Sequence, residues 1–295
     1  MNSHRSYRYR IVDVFTTQPL EGNPLAVFPN AVGIDDATMQ KVAKELNLSE
    51  TVFVLPASRS DCDVAVRIFT PSREMDFAGH PTVGTGFVLL EEGIVPPDRN
   101  GLVLEEKIGP VALRVEKQDR PLIWLRTPPI RFGRTFEREA AAQALGLDLT
   151  DLLEVAPQLV TAGNPTVFVA VRDKGAVDRA WLVSKGASVL KDASEGPGCV
   201  FVFAPAFSGV YSRMFAPEHG IIEDPATGSS TGPLAAYMMK YALVSGAAGT
   251  HFVSEQGTKM GRRSLLHVLI HGEHGSEGIE VGGYVTPVAE GVMQL

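Results

Sequence analysis

Cysteine, positive charge and unbroken apolar runs are all scarce in this sequence of 295 residues. Two cysteines, Cys62 and Cys199, cannot build the disulfide framework of a small secreted fold. The first ten residues are polar and basic with no apolar leader segment, so a reducing cytoplasm is the expected compartment. Cys199 opens the run Val200-Phe201-Val202-Phe203, which predicts a buried strand thiol. The formal net charge is −7, and Arg262-Arg263 is the only adjacent basic pair. That balance argues against a nucleic-acid partner, which needs a basic stripe. No segment approaches the ~18–20 consecutive apolar residues of a membrane span. His267, His271 and His274 lie close in sequence but lack a cysteine or a helical His-Glu-x-x-His, so no metal site is expected.

Apolar residues make up 44% of the chain and charged ones 21%, enough apolar mass for two cores. The length suggests two domains of roughly 100–200 residues each. Thr127-Pro128-Pro129 is the best linker, dividing residues 1–127 from 128–295, with the last strands able to return to the first lobe.

Three words then occur twice in the same order. Gly22-Asn23-Pro24 returns as Gly163-Asn164-Pro165, and Arg67-Ile68-Phe69-Thr70-Pro71 as Arg213-Met214-Phe215-Ala216-Pro217. Gly79-His80-Pro81-Thr82 returns as Gly228-Ser229-Ser230-Thr231. Their offset drifts only from 141 to 149 residues, which implies two halves built on one plan. A duplicated fold places corresponding loops across a cleft, a favoured place for a small-molecule site.

Strands are expected over 8–14, 25–29, 49–56 and 62–69, and a helix from Asp35 or Asp36 with Met39, Val42, Ala43 and Leu46 on one face. A second helix is expected over about 81–92, ending at Gly93. Short strands fill 101–127 around a turn at Lys117-Gln118-Asp119-Arg120. The second half repeats the order: a helical piece over 137–145, strands at 159–161, 165–172, 198–204 and 210–215, a helix near 231–243, and glycine-punctuated hairpins from Leu265. The class is α+β, two pseudo-symmetric lobes, each a mixed or antiparallel sheet wrapped around a helix.

Chemistry concentrates at the repeated glycine words. Each opens a predicted helix, whose first turn carries unpaired N–H groups and partial positive charge suited to a carboxylate or an enolate-like oxygen. The competing reading is a sharp turn into a helix and nothing more. Neither word continues as a phosphate loop, and Gly84 with Gly86 lacks the third glycine of a dinucleotide turn, leaving close helix packing as their use. Glu45 falls in the last turn of the first helix, beside its apolar stripe. The negative dipole end and partial burial would push its pKa up, suiting a group that takes and returns a proton. A solvated surface glutamate is the alternative. Asp76 and Asp224 precede the two glycines and either could accept hydrogen bonds, and Glu223 could raise the pKa of Asp224 if both are desolvated. A hydrolase using Ser229 or Ser230 is disfavoured, because Gly228-Ser229-Ser230-Thr231-Gly232 places serine one position early for a nucleophile elbow.

Taken together the motifs resemble the phenazine-biosynthesis (PhzF-like) isomerase family, of diaminopimelate-epimerase-like fold. The resemblance rests on Val12-Asp13-Val14-Phe15 with Gly22-Asn23-Pro24, on Glu45 with Leu48-Ser49-Glu50-Thr51-Val52-Phe53, and on Phe69-Thr70-Pro71. It continues through Asp76-Phe77-Ala78-Gly79-His80-Pro81-Thr82, Glu223-Asp224-Pro225-Ala226-Thr227-Gly228-Ser229, Glu255-Gln256-Gly257 and Met260-Gly261-Arg262. It implies a cofactor-independent isomerase, commonly a homodimer, moving a proton between carbons of a small carboxylic acid. Glu45 would be the acid/base, aided by His80 and Asp224. Asn23, Gly79, Gly228, Ser229, Gln256 and Gly257 would contact the substrate. Related epimerases use two cysteines at the loops that here carry Gly79-His80 and Gly228-Ser229, so a two-thiol mechanism is not expected. Arg263 stands where the family often has proline. The competing function is a carboxylate-binding protein that keeps the cleft without turnover.

Overall fold

Near-continuous apolar runs over residues 25–28 and 51–55 predict strands covered on both faces, and the two pair in parallel, Leu25 opposite Glu50. The computed structural model describes residues 5–182, 186–191, 194, 198–206 and 209–295. The chain divides into two units, one formed by the residues up to Arg126 together with Gly282–Leu295, the other by Thr127–Val281.

In the first unit, β1 (Ser6–Val14) and β2 (Asn23–Phe28) are antiparallel neighbours. Helix α1 (Asp36–Leu46) crosses to β3 (Glu50–Leu55), followed by β4 (Val64–Phe69) and the short β5 (Glu74–Met75). Helix α2 (Gly79–Glu91) then leads to β6 (Gly101–Glu106), β7 (Gly109–Glu116) and β8 (Leu122–Arg126). Strand β3 is antiparallel to β4, β4 is parallel to β6, and β6 is antiparallel to β7.

The second unit opens with β9 (Arg131–Thr135), α3 (Arg138–Leu145), β10 (Gln158–Thr161) and β11 (Thr166–Ala170). The short helices α4 (Lys174–Arg179) and α5 (Gly186–Val189) precede β12 (Cys199–Ala206), β13 (Gly209–Ala216) and β14 (Ile221–Asp224). Helix α6 (Gly228–Lys240) is followed by β15 (His251–Gln256) and β16 (Ser264–His271). Strand β17 (Gly278–Gly283) carries the chain back to the first unit, where β18 (Val285–Gln294) pairs antiparallel with β1.

The pairing in the second unit repeats that of the first. Strand β10 is antiparallel to β11, β11 is parallel to β12, β12 is antiparallel to β13, β13 is parallel to β15, and β15 is antiparallel to β16. The words repeated in sequence therefore occupy equivalent strands and helix starts.

Helices α2 and α6 have no charged residue before their last turn and are apolar over most of their surface, and such helices are stable only inside a core. Every residue from Gly79 to Leu90 is buried, as is every residue from Gly228 to Met238. A Cβ on Gly84 would meet Leu25 at 2.6 Å and one on Gly86 would meet Leu113 at 2.5 Å, so these glycines serve close packing. Both helices begin earlier than periodicity suggests, at Gly79 and Gly228, because the glycine words form the first turn itself. Cys199 opens β12 as a buried thiol pushed up to about 12 by burial. Cys62 lies half-buried in the turn before β4, not in a strand. No helix among the described residues is long and apolar enough to cross a membrane.

Candidate active site

The Gly-Asn-Pro words deliver an asparagine to each buried helix start. Gly22 has φ 69° and Gly163 φ 115°, the left-handed region that L side chains avoid. A Cβ on Gly22 would also sit 2.4 Å from the Val14 carbonyl oxygen. Buried Asp13 holds the preceding loop, its carboxylate accepting from the Leu20 N–H at 2.6 Å. Asn23 then starts β2, fully buried, with Nδ2 3.3 Å from Nδ1 of His80 in the first turn of α2. In the second unit, Asn164 donates through Nδ2 to Oγ of Ser229, in the first turn of α6, at 3.0 Å. One device is used twice.

His80 has a second partner. Its Nε2 lies 3.3 Å from Oε2 of Glu50, the first residue of β3, and both side chains are buried. The parallel register that sets Glu50 opposite Leu25, two residues from Asn23, brings the three groups into line. A carboxylate this close favours the charged ring, but burial prevails and pushes the imidazole down to about 3, with the Pro24 backbone opposing it. His80 is therefore neutral near pH 7, a hydrogen-bonding group and too weak a base to collect a proton from carbon.

Glu45 is not part of this constellation. It is exposed in the last turn of α1, while Met39, Val42 and Ala43 form the buried stripe. Glu45 shares the solvent face with Lys41, one helical turn earlier. The expected partial burial does not occur. Asn47, at φ 52°, ends the helix in a left-handed turn and redirects the chain, so that Glu50 is the glutamate carried to His80.

The second corner is built from α6, β14 and β15. Asp224 is buried and accepts from Thr227 Oγ1. Gln256, fully buried, donates through Nε2 to the Asp224 carbonyl at 2.7 Å and to Thr227 Oγ1 at 3.0 Å. Its Oε1 accepts from the Thr227 N–H at 3.2 Å. Gly257, at φ 74°, follows, and a Cβ there would lie 2.3 Å from the Arg262 carbonyl oxygen and 2.5 Å from that of Pro225. Glu223 does not act on Asp224 as a second free carboxylate, because Arg213 grips it at 2.9 and 2.8 Å. Asp76 is exposed and paired with Lys107 at 2.9 Å, so it is no counterpart of buried Asp224. Ser230 pairs with Thr166 at 2.8 Å and Ser229 with Asn164, so both hydroxyls are engaged by partners other than an imidazole.

Neither helix start has a side-chain cap, which leaves first-turn N–H groups at Gly79-His80 and Gly228-Ser229 suited to an anion. Among the described residues no group of three or more His, Cys, Asp and Glu could hold a metal ion. His271 is paired with Glu280 at 3.0 Å, and His267 stacks on His251.

The chain as a whole has relatives. A family model described as Phenazine biosynthesis-like protein matches residues 12–291. The chain belongs to that family. It is 34% identical over 289 residues to the trans-2,3-dihydro-3-hydroxyanthranilate isomerase of Pseudomonas aeruginosa, covering 97% of this chain and 98% of the relative. The solved structure of the Bacillus anthracis phenazine biosynthesis protein, PhzF family, matches with a TM-score of 0.88 at 27% identity, covering 99% of this chain and all of that one. A hydroxyproline epimerase from Agrobacterium vitis shares the fold, with a TM-score of 0.69 at 14% identity, over 99% of this chain and 93% of that one. The chain is an enzyme of the isomerase and epimerase class, of α+β fold.

Proposed function

We propose that this phenazine biosynthesis-like protein moves a proton between carbons of a small carboxylic acid without a cofactor, with Glu50 as the general acid/base. The carrying observation is the buried Glu50–His80 contact at 3.3 Å, beside the uncapped start of α2. A 1,3-proton shift needs one group that accepts a proton at one carbon and returns it at another. Glu50 is the carboxylate beside neutral His80, whose Nε2 packs 3.3 Å from its Oε2 and fixes its place. The first-turn N–H groups hold the substrate carboxylate or the developing enolate-like oxygen. In the second unit, Asp224, fixed by Thr227 and Gln256, offers an acceptor of the same kind, and Ser229 a hydroxyl.

The Pseudomonas aeruginosa relative is named for isomerising a dihydro-hydroxyanthranilate, so a cyclic amino-carboxylate is the first substrate class to test. Incubation of such acids in deuterated water, followed by proton NMR, reads the chemistry directly. Deuterium entering a carbon position with wild type and Glu45→Gln, but not with Glu50→Gln, supports the assignment. Binding of the acids without exchange by wild type at any pH would replace it with a carboxylate-binding role.

A further inference from the structure

Glu106 ends β6 and takes no part in the chemistry proposed above, yet its side chain is only 4% exposed. One of its oxygens, Oε1, lies 2.6 Å from Oγ1 of Thr82, in the first turn of α2. The same Thr82 oxygen lies 2.7 Å from the carbonyl oxygen of Ala78. A threonine hydroxyl has one hydrogen, and a carbonyl can only accept. With the hydroxyl hydrogen on the Ala78 carbonyl, the short contact to Glu106 requires the glutamate to bring a proton of its own. The order of donation is Glu106 to Thr82 to Ala78.

We infer that Glu106, kept as the neutral acid, is a positioning residue for the α2 corner, fixing the Ala78–Gly79 peptide through Thr82. The carbonyl of Ala78 and the N–H of Gly79 belong to one planar unit and point in opposite directions. A bond that immobilises the carbonyl therefore immobilises the N–H, one of the first-turn donors that face outward from the helix start. Loss of the Glu106 proton turns the Thr82 hydroxyl toward the new carboxylate and leaves the Ala78 carbonyl to the longer 3.3 Å bond from the Thr82 N–H, which loosens that peptide.

The surroundings favour the neutral acid. Burial pushes Glu106 up to about 8, the Thr82 hydrogen bond opposing it only in part. Its other oxygen, Oε2, has no hydrogen-bond partner among the described residues. Charged groups on the elements around it are engaged elsewhere. Lys107 pairs with Asp76 at 2.9 Å, Glu105 accepts from the Ser58 N–H at 2.7 Å, and Glu74 holds Arg67 at 2.7 Å. On β7, Arg114 pairs with Glu116 at 3.4 Å, and on α2 the His80 ring is turned to Asn23 and Glu50.

The test reads the protonation state and the peptide without substrate. Carbon-13 NMR of glutamate-labelled protein, with Glu106→Gln identifying the signal, should show a protonated carboxyl at pH 6.5 that ionises above neutrality. The Gly79 amide signal, identified through Gly79→Ala, should move in step with that ionisation in wild type and stay still in Glu106→Gln, whose amide still donates to Thr82. In Thr82→Val it should be displaced at every pH, and in Thr82→Ser it should return. A Glu106 carboxyl already ionised at pH 6.5, or a Gly79 signal indifferent to its titration, overturns the inference. The consequence for turnover rests on the isomerase reading. There the apparent KM of wild type should rise about tenfold between pH 7 and pH 9, as the competent fraction falls, and stay within about twofold in Glu106→Gln. Failure of the isomerase reading leaves the NMR result standing, and ionised Glu106 with active enzyme sinks this inference alone.

Discussion

Asn164 donates to Ser229 at 3.0 Å as Asn23 faces His80 at 3.3 Å, each asparagine from a Gly-Asn-Pro word and each partner following the glycine that opens a buried helix. The duplication thus preserves a contact, not merely a chain path. One copy has become an imidazole beside a carboxylate, the other a hydroxyl. Replacing Asn164 by Ala leaves the buried Ser229 hydroxyl without its donor and should cost about 1 kcal/mol of stability. Asn164→Asp keeps the shape but substitutes an acceptor and a half-buried charge, so it should cost more. Urea midpoints of the two variants check the order, and Asp tolerated better than Ala would show that the donor is unimportant.

Glu50→Gln keeps the size of the side chain and removes its ability to take a proton. General acid/base groups contribute roughly 10²–10⁴ in rate, and a loss in that range is expected in kcat, with KM changed little. Glu45→Gln alters a solvated helix face and should stay within about twofold. Steady-state kinetics of the pair decides between the two glutamates.

The choice between those glutamates marks where the sequence stops being legible. Period and capping placed Met39, Val42, Ala43 and Leu46 on one face of α1 behind Asp35 or Asp36; Asp35 is the cap, and Leu46 is only half-buried. A helical wheel could not show that Glu45 joins Lys41 in solvent, nor that a left-handed Asn47 and a parallel register would carry Glu50 inward. Asn164 was visible as half of a repeat, but its use needed a distance. Glu106 left a local signal. Leu102, Leu104 and Glu106 alternate on the buried face of β6, while the adjacent glutamates suggest a solvated end. The repeated strand order was legible because each half carries its own copies of the same words.

Stability should fall on both sides of neutrality for two separate reasons. His80 binds protons less readily in the folded chain, at about 3, than its ordinary 6.5, so the unfolded chain takes up more protons below pH 6.5. Its contribution is present above about 6.5 and is lost as pH falls toward 3. Glu106 is raised from 4.5 to about 8, so the folded chain binds more protons between those values. That contribution is complete below about 4.5 and is lost as pH rises through 8. Each is of order a few kcal/mol by linkage. Glu106→Gln should flatten only the alkaline side of a denaturation profile and His80→Gln only the acid side; exchanged effects would refute both assignments.

Gly257 turns the chain at φ 74° beneath the second corner, with two carbonyl oxygens where a Cβ would go. Alanine there combines backbone strain with a clash against main chain, which cannot swing aside as a side chain would. A loss of about 2 kcal/mol or more is expected, with Gln256 and Thr227 displaced together because they share the turn. Thermal denaturation measures the loss. A Gly257→Ala enzyme of normal stability and activity would mean that the turn adapts freely.

Arg213 binds Glu223 through two roughly parallel contacts at 2.9 and 2.8 Å, donates to the Ala180 carbonyl at 2.5 Å and lies over the Phe215 ring at 4.9 Å. Arg67 repeats part of this in the first unit, with Glu74 at 2.7 Å and the Phe69 ring at 5.2 Å. Arg213 is 3% exposed, and Glu223 immediately precedes Asp224, so the planar fork holds the strand that presents the site aspartate. Lysine keeps the charge but offers neither the fork nor the stacking. Breaking a buried pair outright costs about 3–5 kcal/mol, and Arg213→Lys should lose an appreciable part of that, with kcat falling more than KM rises as Asp224 loosens. Arg67→Lys, at the more exposed copy, should lose less. Equal losses in urea denaturation would show that burial does not set the strength of these two latches.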